Sequence, residues 1–184
     1  MNIPTGTERL SIRPWNKGSD FQNLFDLCSN RDVMRHFPAI LSEEETKSFL
    51  DRLISSHQEN GFCFLPIEDR NTGKFLGFAG LHRPRFSKPL AFSPCVEIGW
   101  RLLPEAWGQG LASEAARAWL EFGFESAALD EIVSFTAVQN IPSQKVMQRI
   151  GMLRDLDGDF DHPSVPDGHH LQRHVLYRLK RNQF

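Results

Sequence analysis

Residues 107–113 have the sequence Trp-Gly-Gln-Gly-Leu-Ala-Ser and join an apolar segment, residues 95–103, to an amphipathic segment that begins at Leu111. The apolar segment predicts a β-strand, and apolar residues at helical spacing through Phe124 predict an α-helix. Two glycines at such a junction permit a tight turn and leave the first amides of the helix free. These amides can bind a phosphate at the positive end of the helix dipole, although an ordinary strand-to-helix turn shares the Gly-x-Gly pattern.

Two familiar phosphate-binding motifs do not fit this turn. A P-loop needs a glycine followed by Lys and Ser or Thr, and no such run occurs in the chain. A dinucleotide fingerprint needs Gly or Ala where Ser113 stands, and the predicted crossover begins only near residue 95, after an antiparallel hairpin. The pattern therefore disfavours both an ATPase-type loop and a Rossmann fold.

The rest of the chain predicts a mixed α/β fold in a single domain spanning residues 1–184. Strands are predicted at residues 9–13, 62–68, 74–81, 95–103, 132–138 and 174–179. Four helices are predicted, at 20–28, from Ser42 with Glu45 in a capping box, at 111–124 and at 142–150. Residues 157–169 are expected to form a loop. The sheet is predicted to be antiparallel first, with one parallel crossover in the middle.

Composition narrows the classes of function. The chain has 184 residues, 40% hydrophobic and 24% charged, with a net charge of −2, which is typical of a soluble globular protein. No overall positive charge favours nucleic acid or anionic lipid, and no apolar run reaches the roughly 20 residues of a membrane span. The first residues lack the features of a secretion signal, so we expect a cytoplasmic protein with its three cysteines reduced.

Two blocks of sequence carry a resemblance to a known family. Residues 96–102 (VEIGWRL) followed by 107–115 (WGQGLASEA) resemble the acetyl-CoA signature of the GNAT N-acetyltransferase superfamily, closest to its RimJ/RimL-like branch. The chain departs from the superfamily pattern Q/R-x-x-G-x-G/A ahead of its two glycines, where Trp107 immediately precedes Gly108. Residues 140–152 are similar to the Asn-x-x-Ser helix of the family, with Met152 in place of an aromatic residue. Residues 160–163 and 174–177 resemble the closing strands of the branch, so the resemblance spans nearly the whole chain.

The resemblance implies a GNAT fold, with a splayed parallel pair of strands in a mostly antiparallel sheet, and acetyl-CoA as the acetyl donor. It implies no metal. The pantetheine arm would lie between the splayed strands, and the glycine turn would receive the pyrophosphate. The residues implied in cofactor binding are Leu102, Leu103, Trp107, Gly108, Gln109, Gly110, Leu111, Ala112, Ser113, Asn140 and Ser143. Asn140 is also a candidate helix N-cap.

Acetyl transfer to an amine requires a base and an acid. Glu97 is close to the position of the family's catalytic carboxylate and is the candidate base, although it could instead face solvent or pair with Arg101. The family's usual tyrosine acid is replaced by Met147, and Tyr177 is expected to pack in the core. Ser143 is the candidate acid. Water, with catalysis by proximity, is the alternative.

The acceptor is expected to be a primary amine, either a ribosomal or other protein N-terminus or a small molecule. Residues 32–38 and 83–94 are expected near the acceptor site, the second stretch alternatively at a dimer contact. A monomer and a homodimer are both open. The competing class is a non-catalytic acyl-CoA binder or sensor on the same fold. The spacings of the histidines and of Asp155, Asp157 and Asp159 disfavour zinc and calcium sites.

Overall fold

The structure is a computed structural model that describes residues 3–86 and 88–184. Seven strands form one sheet in the order β1-β2-β3-β4-β5-β7-β6. The strands are β1 Leu10–Ile12, β2 Phe64–Asp69, β3 Phe75–His82, β4 Glu97–Leu102, β5 Glu131–Ala137, β6 Leu153–Asp161 and β7 Arg173–Lys180. The helices are α1 Phe21–Ser29, α2 Arg31–Met34, α3 Glu43–Asn60, α4 Leu111–Glu121 and α5 Ile141–Arg149.

One pair of strands, β4 and β5, is parallel, and the other neighbours in the sheet are antiparallel. Glu97 pairs with Val133, and the Val133 amide donates to the Val96 carbonyl at 2.9 Å. The Ser134 hydroxyl donates to the Ile98 carbonyl at 2.9 Å. Within the described residues the ladder of this pair goes no further, so the strands diverge beyond Ile98. The predicted mixed sheet with a splayed parallel pair is confirmed.

The helices begin where the sequence places capping groups. Ser42 and Glu45 form the predicted reciprocal capping box at the start of α3. Helix α4 begins after Gly110 and continues into a π-helical turn at Phe122–Ser126. The short helix α2, which was not predicted, is capped by Asn30, whose side chain accepts from the amides of Asp32 and Val33.

The two faces of β4 divide the molecule into two layers. Ile98 and Leu102 are buried on one face, and α4 packs over β3 and β4. Glu97, Gly99 and Arg101 alternate with them and lie on the other face, where Arg101 contacts Cys28 of α1. Helix α4 therefore covers one face of β4, and helices α1 and α3 lie on the other.

The prediction of a loop from residue 157 is wrong for residues 157–161, because they belong to β6. This edge strand pairs with the buried strand β7, and its register shifts between Asp155 and Phe160. Its exposed face carries Leu156, which is 80% exposed. A polar edge strand with a bulge lacks the apolar alternation by which strands are recognised in sequence.

Helices long and apolar enough to span a bilayer do not occur among residues 3–86 and 88–184.

Candidate active site

A cleft of about 950 Å³ opens where β4 and β5 separate. The glycine turn and the N-terminus of α5 line one part of it. Another part is lined by the predicted 32–38 stretch, except Met34, and by residues 84–86 of the predicted 83–94 stretch. Of the predicted site residues, the cleft wall includes Glu97, Leu102, Trp107, Gly108, Gly110, Leu111, Ala112, Ser113, Asn140 and Ser143, but not Leu103 or Gln109.

The glycine turn has the backbone shape that a phosphate cradle requires. Gly108 and Gly110 have φ angles of 72° and 78°, in the left-handed region that a side chain disfavours. The first bond closing α4 runs from the Glu114 amide to the Gly110 carbonyl, at 3.0 Å. The amides of Leu111, Ala112 and Ser113 therefore precede the helical ladder and are available to an anion.

Ser113 adds a side-chain donor to the same cradle. Its hydroxyl is buried, and within residues 3–86 and 88–184 it has no hydrogen-bond partner. A buried hydroxyl without a partner costs free energy, and a phosphate oxygen would supply that partner. The residues of the turn therefore fit the pyrophosphate of a coenzyme.

The turn is held in place from outside by a residue that the sequence analysis missed. The Arg9 guanidinium donates to the Gln109 carbonyl at 3.0 Å and forms an ion pair with Glu114 at 2.5 Å. The Gln109 side chain folds back to the Glu105 carbonyl. Arg9 lies about 100 residues before the turn, so only the fold reveals the contact.

Trp107, the residue just before the first glycine of the turn, fixes the end of β4. Its indole N–H donates to the Leu102 carbonyl at 2.8 Å. The Arg35 guanidinium lies 5.0 Å from the centre of the indole ring, within the range of a cation–π contact. Trp107 therefore ties the glycine turn both to the strand before it and to the α2 region.

Along β4, the backbone N–H and C=O groups of successive residues point alternately toward β3 and toward β5. The carbonyls of Val96 and Ile98 point toward β5, so those of Trp100 and Leu102 point into the gap that follows. Leu103 is turned the other way, because its amide donates to Leu76 of β3 at 2.9 Å. The structure thus brings Leu102 to the gap but not Leu103, and it adds Trp100, which the sequence analysis did not name.

On the other side of the gap, Asn140 caps helix α5. Its side-chain oxygen accepts from the Ser143 amide at 3.3 Å, and its nitrogen donates to the Thr136 hydroxyl at 2.8 Å. The N-cap role expected for Asn140 is confirmed. Asn140 and Ser143 also line the cleft, so the cap stands opposite the glycine turn.

Glu97 lies on the face of β4 that is turned away from α4, opposite His82 of β3 in the register. Its side chain lines the cleft, and burial raises its pKa to about 8. Salt bridges within the described residues do not include Glu97, so the ion pair with Arg101 that the sequence left open is not formed. Since Glu97 is desolvated, it can hold or release a proton near neutral pH.

The three residues that bear on the choice of the acid, Met147, Tyr177 and Ser143, occupy different environments. Met147 is buried, and Tyr177 is buried in β7 with its hydroxyl accepting from Gln148 at 3.3 Å, which confirms its packing role. Ser143 is partly exposed to the cleft. Among these, Ser143 is the one with a hydroxyl on the cleft wall.

Aromatic and histidine side chains form the end of the cleft beside Glu97, and of these only Phe86 belongs to a stretch predicted to lie there. Phe86, Phe135, His162 and His174 line it, with the two imidazole centres 4.8 Å apart. Burial, together with the charge of His174, lowers the pKa of His162 to about 4, so this ring is neutral. Strand alternation could have placed Phe135 on this face, but the two histidines come together only through the pairing of β6 with β7.

A group of three or more His, Cys, Asp or Glu side chains able to hold a metal ion is not found in the part of the chain that the structure describes. The acidic residues of β6 form ion pairs instead. Asp155 pairs with Arg178 at 2.6 Å and Asp159 with Arg154 at 2.5 Å.

Comparisons with known proteins agree with this site. The family model described as an acetyltransferase (GNAT) domain matches residues 9–153. The uncharacterized N-acetyltransferase YnaD of Bacillus subtilis (strain 168) is 30% identical over 181 residues, which cover 97% of each chain. A GNAT-family acetyltransferase from Bacillus anthracis superposes with a TM-score of 0.76 at 28% identity, covering 99% of each chain.

RimL, a ribosomal L7/L12 alpha-N-protein acetyltransferase, shares the fold with a TM-score of 0.74 at 20% identity, covering 97% of this chain and 93% of its own. Family model, relatives and geometry converge: this chain belongs to the GNAT family of acetyl-CoA-dependent N-acetyltransferases.

Proposed function

We propose that this protein transfers the acetyl group of acetyl-CoA directly to a primary amine in a ternary complex, with Glu97 as the general base. The observation that carries the proposal is the placement of Glu97. It is a desolvated carboxylate with a pKa of about 8, on the face of β4 opposite α4 and at the point where β4 and β5 separate.

The residues of the chain divide the work between the two substrates. The amides of Leu111, Ala112 and Ser113, with the Ser113 hydroxyl, would hold the pyrophosphate, and the Trp100 and Leu102 backbone would hold the pantetheine arm. Asn140 and Ser143 would contact it from the other wall of the gap. Acetyl-CoA supplies a thioester carbonyl when bound.

Glu97 removes a proton from the ammonium group of the acceptor, and this removal makes the amine nucleophilic. An ammonium ion is not a nucleophile, and a carboxylate with a raised pKa accepts its proton more readily than an ordinary glutamate does. The nitrogen then forms a bond to the acetyl carbon as the carbon–sulfur bond breaks. The departing thiolate takes a proton from the Ser143 hydroxyl or from water. The acylated nitrogen, which is cationic once its bond to the acetyl carbon has formed, gives its remaining excess proton to that same oxygen, so the charges balance.

The acceptor amine can belong to either of two kinds of molecule. A protein N-terminus, as in RimL, and a small-molecule amine are both compatible with an open cleft. A cytoplasmic location, a single domain over residues 1–184 and a monomeric or homodimeric state stay predictions from the sequence.

Release of CoA thiol in the presence of acetyl-CoA and a panel of primary amines tests the proposal. We expect kcat/KM for the best acceptor to rise with pH through about 8, and we expect Glu97→Gln to lower it about 100-fold or more and to remove that rise. Ser143→Ala should lower kcat about tenfold if the hydroxyl is the acid, and leave it unchanged if water is.

Glu105→Gln is the matched control, because Glu105 is an exposed glutamate on the 3-10 turn that follows β4. It should leave the rate and its pH dependence as they are. Acetyl-CoA binding without acetylation of any amine would contradict the proposal and favour the binder or sensor. Full activity in Glu97→Gln would remove Glu97 from the mechanism.

A further inference from the structure

Arg101 is a guanidinium on the cleft wall without a carboxylate partner in the described residues. Its Nη1 donates to the Sγ of Cys28 at 3.0 Å, and its Nε is buried with no hydrogen-bond partner among those residues. Burial raises the pKa of Cys28, so the sulfur is a neutral thiol and does not balance the charge.

Three phenylalanine rings surround the guanidinium. Its carbon lies 4.2 Å from the centre of the Phe37 ring, 5.1 Å from that of Phe78 and 5.8 Å from that of Phe49. Cation–π contacts offset part of the desolvation cost, but they supply no acceptor to the buried Nε, and the only acceptor recorded for the guanidinium in the described residues is the weak Sγ of Cys28. A desolvated arginine with open donors is a site prepared for a carboxylate or phosphate.

The charges of the side chains that line the whole cleft also favour an anionic ligand. Five cationic side chains line it, against two acidic ones. The cationic residues are Arg35, Arg85, Arg101, Lys145 and Arg149, and the acidic residues are Asp32 and Glu97. Even with Arg85 paired to Glu59 and with Glu97 ionised, the cationic side chains outnumber the acidic ones, so the lining attracts anions and disfavours a polyamine.

Arg101 stands on the same face of β4 as Glu97, on the acceptor side. Four residues of strand place their Cα atoms about 13 Å apart. Gly99 lies between them, and a Cβ there would come within 3.1 Å of the Phe64 ring, so the floor between the two groups is closed by an aromatic ring. A molecule lying along this floor can have one end at Glu97 and the other at Arg101.

We propose that the acceptor of this enzyme carries an anionic group, a carboxylate in the first instance, which Arg101 binds while the amine lies at Glu97. The identity of the amine end rests on the proposed function. The anionic end rests on Arg101 alone, so the two can fail separately. The substrate class is thus an amino acid, or a peptide with an acidic residue near its N-terminus, in preference to a polyamine.

Matched probes that differ by one charge test the inference. They are the ω-amino acids of four to eight carbons and their carboxamides. Binding is measured by calorimetry with the protein saturated with CoA, and turnover by CoA release with acetyl-CoA. For the chain length that binds best, we expect the carboxylate to bind about 10- to 100-fold tighter than its carboxamide, as a charge-assisted bidentate contact would give.

Arg101→Met keeps the apolar stem among the three rings and should remove this difference, and Arg101→Lys should restore part of it. Arg52→Met is the control, because Arg52 also stacks on Phe49, at 5.7 Å, but lies outside the cleft. Carboxylate and carboxamide binding equally, or a preference that survives in Arg101→Met, would overturn the inference. Arg101-dependent binding without acetyl transfer would support it and contradict the proposed reaction instead.

Discussion

Replacing Glu97 by Gln should stabilise the folded protein, increasingly so as the pH rises. Glutamine keeps the size and polarity of the side chain but cannot ionise. The pKa of Glu97 is raised by burial from 4.5 to about 8, so the folded state retains a proton that the unfolded chain has released. The free energy of unfolding of the native protein is therefore unaffected by Glu97 below about pH 4.5, and it falls as the pH rises from there to about 8.

The size of the effect follows from the two pKa values. Each pH unit between 4.5 and 8 costs the native protein about 1.4 kcal/mol relative to Glu97→Gln, and the total reaches an upper bound of about 5 kcal/mol above pH 8. The other titratable groups near Glu97, among them His82 and Cys95, are present in both proteins and largely cancel in the difference.

Urea unfolding of both proteins at intervals between pH 5 and pH 9 measures this difference. We expect the free energy of unfolding of Glu97→Gln to exceed that of the native protein by a margin that grows up to pH 8 and then levels off. Glu105→Gln should show no such growth, because hydrogen bonds from its own backbone and from Lys74 lower the pKa of this exposed carboxylate. A margin that stays constant across the range would refute the reasoning, since Glu97 would then ionise as it does in water.

Three further substitutions test other parts of the structure. Gly110→Ala should weaken acetyl-CoA binding in calorimetry at least tenfold, whereas Gly168→Ala, at a similar φ of 77° away from the cleft, should cost the same roughly 1 kcal/mol of stability and leave binding unchanged. Tyr177→Phe should leave kcat unchanged and lower the unfolding free energy by about 1 kcal/mol, and a large loss of kcat would make Tyr177 the missing acid. Asp20→Asn should cost about 3 kcal/mol at pH 7, because the buried Asp20 accepts two hydrogen bonds from Arg13 at 2.7 and 2.8 Å. Burial pushes the pKa of Asp20 up, but these bonds and the Asn16 amide hold it below its ordinary value, so this penalty should shrink in unfolding experiments as the pH falls below about 4.

Most of the sheet follows from local patterns in the sequence. Strand β1, the hairpin of β2 and β3, and the β4–α4–β5 crossover all have apolar segments bounded by turn residues, and each was predicted within a few residues. Strand β6 was not, because its polar residues are held by ion pairs such as Asp155 with Arg178 rather than by burial. Its stability depends on β7, which lies later in the chain.

The glycine turn and the cap of α5 were more predictable from the sequence than the surroundings of Arg101 and Glu97, because their contacts are local in sequence. The glycine turn and the cap at Asn140 are each formed by residues close in sequence, so a motif describes them. The surroundings of Arg101 come from α1, α3, the 32–38 segment and β3, and those of Glu97 from β3, β5 and the 83–94 segment. Contacts across such sequence distances leave no local pattern.

The alternation of β4 explains how one strand serves both substrates. Its even-numbered backbone groups point toward the gap beside β5, and its odd-numbered side chains face the acceptor side. In the proposed reaction, the position of Glu97 relative to the pantetheine arm would therefore be determined by the geometry of β4 itself. The anion preference inferred for this chain would then belong to the face of β4 that carries Arg101, apart from the coenzyme site proposed in the gap beside β5.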